Sequence, residues 1–116
     1  MLEMYAEDAV FDVSAVFTDA APVRGHEKML RYWKELQETW GGGMRTVPLE
    51  VLDLGEGRYV LDLRLWGKGT LSGIGIDQRF AFLYDFRPDG KVICARLFPD
   101  VAAALAAAES SPAQTA

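Results

Sequence analysis

Hydrophobic residues recur along this chain with two different periods, and the change of period divides it. From Gly25 onward, Met29, Trp33, Leu36 and Trp40 fall at i, i+4, i+7 and i+11, while Glu27, Lys28, Arg31, Lys34, Glu35 and Glu38 take the other side. That spacing predicts an amphipathic helix laying an aromatic stripe on a core. Gly41-Gly42-Gly43 should stop it, because glycine adopts the left-handed conformation that ends helices. Upstream, residues 9–17 are rich in Val and Phe without Gly or Pro, which reads as a first strand. Asp19-Ala20-Ala21-Pro22 breaks it.

The second half alternates instead. Runs at 44–54, 58–66, 74–86 and 91–98 are separated by Gly55-Glu56-Gly57, Gly67-Lys68-Gly69 and Pro88-Asp89-Gly90, which predicts strands joined as antiparallel hairpins. In the second run Tyr59, Leu61, Leu63 and Leu65 alternate with Val60, Asp62, Arg64 and Trp66. In the third, Phe80, Phe82, Tyr84 and Phe86 alternate with Arg79, Ala81, Leu83 and Asp85. Side chains two apart share a face, so the first set of each run should form one apolar, concave surface. After Pro99 the Ala-rich stretch 101–108 suits a short helix, and 109–116 reads as a loose, flexible tail. Strand, helix, then four strands makes an α+β fold with a mainly antiparallel sheet, in one domain over residues 1–108.

Composition narrows the classes. A chain of 116 residues, half of them hydrophobic and a quarter charged, can build one core. A net charge of -5 with no Lys/Arg-rich stripe argues against nucleic acid as a partner. No stretch reaches the ~20 apolar residues of a membrane span. Neither does the start show an export pattern, so a cytoplasmic protein without a membrane partner is expected. Cys94 is the single cysteine, expected as a small buried hydrophobe and not as a nucleophile.

Four strings, in order, carry a resemblance: Tyr5-Ala6-Glu7-Asp8-Ala9-Val10-Phe11, Val23-Arg24-Gly25-His26-Glu27, Arg79-Phe80-Ala81 and Asp89-Gly90-Lys91-Val92. With the element order, they resemble the nuclear transport factor 2-like superfamily, in its SnoaL-like and ketosteroid isomerase-like branch. The resemblance implies a cone-shaped, curved sheet wrapped around a helix, a cystatin-like α+β roll enclosing an apolar pocket. Family members usually have one long helix and part of another before the string that begins here at Leu2, and those helices close the wide end of the cone. The opening is therefore expected to be covered by a second subunit, by the Ala-rich helix, or by a further segment. A homodimer is the expected assembly.

The acids of the family's known enzymes do not carry over. The pocket-facing acid of isomerases and cyclases falls on Phe82, the isomerase base on Val13 between Asp12 and Ser14, and the Asp of epoxide hydrolases on Leu97. A hydrocarbon side chain cannot move a proton. Asp12 becomes a candidate base if the first strand bulges to turn it inward, with Tyr84 as a candidate donor. His26 is read as an exposed neighbour of the helix cap in preference to a catalytic base. Arg96 and Asp62 or Arg64 are read as outer-face residues, either cross-strand pairs or a dimer surface, and Trp66 as part of an interface. Gly67-Lys68-Gly69 lacks the spacing of a phosphate loop and reads as a hairpin able to act as a lid. No cluster has metal-ligand spacing, so neither metal nor cofactor is expected.

The residues expected to line a pocket are Val13, Trp33, Leu36, Tyr59, Leu61, Leu63, Phe80, Phe82, Tyr84 and Leu97. Such a set points first to a domain that binds a hydrophobic small molecule. The alternatives are a SnoaL-like isomerase, cyclase or hydrolase acting on a polycyclic or terpenoid-like substrate, and an assembly domain with a filled core.

Overall fold

The computed structural model describes residues 2–17, 20–40, 45–68 and 75–110, and the observations below concern these. The elements run β1 (Tyr5–Asp12), β2 (Val23–Arg24), α1 (His26–Trp40), β3 (Arg45–Gly55), β4 (Arg58–Lys68), β5 (Gly75–Phe86), β6 (Val92–Phe98) and α2 (Val101–Ser110). All six strands join one sheet in the order β2-β1-β6-β5-β4-β3. β1 and β6 are parallel, and every other pair is antiparallel. The α+β class and the mainly antiparallel sheet are as the alternation implied. The short β2, the 3-10 turn at Leu2–Met4 and the inclusion of Glu109 and Ser110 in α2 were not anticipated. The side chain of Trp40, the Gly41-Gly42-Gly43 stop, most of the glycine hairpin and the tail beyond Ser110 lie outside the described residues.

The first strand is displaced from its expected place at 9–17. It starts at Tyr5 and ends at Asp12, because the Asp12 carboxylate accepts hydrogen bonds from the Ser14 amide at 2.9 Å and the Ser14 hydroxyl at 2.6 Å. A carboxylate bonding the amide two residues on closes a turn in place of a ladder. The amides of Val16 and Phe17 then both turn back to the Val13 carbonyl, at 3.1 and 2.8 Å.

Gly25 sets the start of α1. Its φ of +91° is a conformation that side-chain-bearing residues rarely adopt. Its amide reaches the Ala9 carbonyl at 2.9 Å while its own carbonyl accepts the Met29 amide at 3.0 Å. The His26 ring bonds the Tyr5 carbonyl through Nε2 at 2.8 Å, pinning the same helix end to β1. Met29 is thereby fully buried against the concave face, in a core with Tyr5, Ala9, Phe11, Leu63, Phe80 and Leu97.

A second core lies on the opposite face of the sheet. Val60, Ala81 and Leu83, the alternates of the concave-face residues, are completely buried there with Ala104 of α2. α2 therefore covers the outer surface, which corrects its place among the three expected covers of the cone. Asp100 caps it, accepting the Ala103 amide at 2.8 Å. At its other end Arg58 donates from Nη1 to the Ala108 carbonyl at 2.8 Å, and from Nε to buried Asp85 at 2.7 Å. A cation at a helix C-terminus, itself ion-paired, ties α2 to β4 and β5.

Candidate functional site

A cavity of about 270 Å³ opens between α1 and the concave face. β1 and the turn after it contribute Phe11, Val13 and Phe17. α1 contributes Tyr32 and Leu36, one turn apart on the same helix face. The strands add Thr46 from β3, Leu63 and Leu65 from β4, Phe80 and Phe82 from β5, and Leu97 from β6. Burial grades the site from floor to mouth. Leu63, Phe80, Leu97 and Val13 are 2–6 % exposed, whereas Leu36 is 37 % and Phe17 45 % exposed. Thr46 is exposed as well, and Tyr32 is half-buried. No charged side chain lines the cavity among the described residues, and Tyr32 and Thr46 bring its side-chain hydroxyls.

The other end of the cone is filled by rings. Trp33 sits edge-on to Tyr5 and Phe11 at centroid distances of 5.5 and 5.8 Å. Phe82 stacks on Tyr84 at 5.4 Å, Tyr84 leans on Phe86, and Phe86 meets Tyr59 edge-on. Such pairs add to the burial of the rings themselves. Burial pushes the Tyr5 and Tyr84 phenols above the ordinary phenol range, with a smaller contribution from their mutual interaction. Tyr32 is also pushed up, by burial first and then by the charge of Glu35, so it stays a neutral donor at neutral pH.

Six of the ten expected pocket residues line this cavity: Val13, Leu36, Leu63, Phe80, Phe82 and Leu97. Trp33, Tyr59, Leu61 and Tyr84 are not among its lining residues. They have the right face but the wrong depth, since Leu61 pairs with Phe82 and Tyr59 with Tyr84 towards the filled end, while Leu63 pairs with Phe80 towards the cavity. Phe11, Phe17, Tyr32, Thr46 and Leu65 were missed. Leu65 belonged to the alternation already recognised. Phe17 was hidden by its assignment to a strand that in fact turns at Asp12.

Asp12 does not enter the cavity. Its neighbours Phe11 and Val13 line it, its strand partner is Arg96, and its carboxylate is engaged by Ser14. The irregularity in β1 does exist, but it falls between Tyr5 and Val10, before Asp12. Asp12 is thus held by Ser14, and neither it nor Tyr84 is among the residues that line the cavity.

The outer-face residues pair across strands. Arg64 forks onto Asp77 at 2.7 Å through both contacts, and Arg79 pairs with Asp62. Trp66 lies between the guanidinium groups of Arg45 and Arg64 at 5.5 and 5.9 Å. Cys94 is buried on that same face, and burial raises its thiol, as befits a packing residue. Among the described residues no group of His, Cys, Asp or Glu could hold a metal, and no helix is long and apolar enough to cross a membrane.

No family model matches the chain, and no curated protein matches it. Solved structures do. Bal32a, from a soil-derived mobile gene cassette, superposes with a TM-score of 0.72 at 23% identity, over 82% of this chain and 70% of its own. TerC, co-crystallised with polyporic acid, gives 0.72 at 20% identity over 95% and 83%. A nuclear transport factor 2-like protein from Exiguobacterium sp. 255-15 gives 0.69 at 11% identity over 86% and 80%. The chain thus has the nuclear transport factor 2-like fold that its sequence resembles, and at these identities the likeness speaks for the fold alone.

Proposed function

We propose that this chain binds a small apolar molecule in the cavity between α1 and the concave face. The supporting observation is the lining: hydrocarbon floor and walls around about 270 Å³, with no acid or base among the described residues. A dry cavity of roughly 150 Å³ lined by Leu and Phe accommodates benzene, so this one suits a molecule of about two rings or a monoterpene. Phe82 and Leu97, where family enzymes carry acids, are part of that lining. Proton transfer in the cavity would have to come from phenol or solvent, and binding is favoured over an isomerase, cyclase or hydrolase reaction. The co-crystals of TerC with polyporic acid, a structure sharing this fold, are consistent with a ligand here. A thermal-shift panel of neutral two-ring and terpenoid compounds tests the reading. At about 100-fold excess over Kd a ligand should raise Tm by roughly 10 °C, and Leu65→Trp, filling the cavity, should abolish the rise. A panel without any shift would overturn it.

A homodimer is a further part of this proposal, favoured by the edge of the sheet. Val47, Leu49, Val51 and Leu54 of β3 are 37–61 % exposed, and Trp66 39 %. An edge strand carrying that much apolar surface is suited to a partner.

A further inference from the structure

We infer that the cavity selects a neutral molecule with one oxygen and holds that oxygen at the mouth, between Tyr32 of α1 and Thr46 of β3. This rests on the binding reading above. The floor residues Leu63, Phe80, Leu97 and Val13 carry no polar side-chain atom, and they come from or adjoin strands whose backbone groups are paired in the sheet. An oxygen sent to the floor would lose its hydrogen bonds to water and regain none from a side chain, which costs more than the burial of a hydrocarbon end gains there.

At the mouth the situation reverses. Thr46 pairs with Leu65, a lining residue, so it shares the inner face at the start of β3. Tyr32 stands on the helix wall, half-buried, its phenol held protonated by burial and by Glu35. A phenol and a threonine hydroxyl each donate and accept, so they suit an alcohol, a phenol or a ketone. A carboxylate is disfavoured, because no cation among the described residues lines the cavity, Glu35 lies near Tyr32, and the chain carries a net charge of -5. Ligands therefore enter hydrocarbon end first.

Three probes of one shape test this: 2-naphthol, 2-methylnaphthalene and 2-naphthoate, with affinities measured by equilibrium dialysis at pH 7. The native chain should bind 2-naphthol about fivefold to tenfold more tightly than 2-methylnaphthalene, as one net hydrogen bond is worth, and bind 2-naphthoate most weakly. Tyr32→Phe and Thr46→Val should each shrink the naphthol preference, and the two together should erase it. The readout is the ratio of the two affinities within each variant, and a cooperative thermal melt shows that each variant is folded. A preference that survives the double variant, equal binding of naphthol and methylnaphthalene by the native chain, or tightest binding of naphthoate would overturn the inference while leaving apolar binding in place. Failure of all three probes to bind would overturn both.

Discussion

Tyr5 and Tyr84 meet inside the aromatic cluster, where a phenolate would lose the water that stabilises it. Their folded pKa values lie above the ordinary value near 10, so the folded chain keeps protons that the unfolded chain releases. The contribution is complete below about pH 10 and is lost as pH rises through the folded values. Buried Cys94 acts with the same sign from about pH 8.5 upward. Thermal melts should therefore be flat from neutrality to about pH 8.5 and fall beyond it, with Tyr84→Phe reducing the fall above pH 10; a Tm constant to pH 11 would contradict this. The Arg58–Asp85 pair makes a different prediction. Its partners are 8 % and 1 % exposed as side chains, so Arg58→Met, which strands a buried carboxylate, should cost about 3–5 kcal/mol in denaturant titrations. Replacing both partners, with Asp85→Leu alongside, should recover most of that loss. Neither residue stood out in the sequence, because a buried Arg at a strand start looks like any solvated one until its partner, 27 residues away, is placed opposite.

At the scale of elements, boundaries followed local chemistry and positions did not. The strands at 58–66 and 74–86 were legible from alternation alone, as β4 and β5 show. The helix was legible from its 3.6-residue period and from Gly25. β1 was misplaced because Phe11, Val13, Val16 and Phe17 read as strand by type, while a carboxylate two residues before Ser14 closed a turn. α2 was foreseen as a helix over 101–108, but an Ala-rich surface contains little to say which face of a sheet it will cover. Its placement on Val60 and Leu83 makes it structural. Asp100→Ala should then cost about 1 kcal/mol by removing the cap on Ala103, read as a lower Tm with the cavity ligand's binding unchanged. A loss of ligand binding instead would mean that α2 reaches the site.

For the whole molecule, the exposed apolar residues of the edge strand β3 predict association. Sedimentation at tens of micromolar should give about twice the 12.8 kDa chain mass, and Val51→Lys with Leu49→Lys should return it to a monomer; a native chain that sediments as a monomer would remove the homodimer. By itself, the sequence determined the fold class, the succession of the long elements from α1 onward and the apolar character of the concave face, because periodicity is a local property that survives without partners. Only the tertiary structure decided how deep each residue lies. Antiparallel register put Leu63 and Phe80 at the cavity and Tyr59 and Tyr84 in the filled end, and the ladder between β3 and β4 brought Thr46 beside Leu65 in the cavity lining. Alternation assigns a face, whereas a pocket is a matter of distance along that face, and distance is set by pairing between residues far apart in the chain.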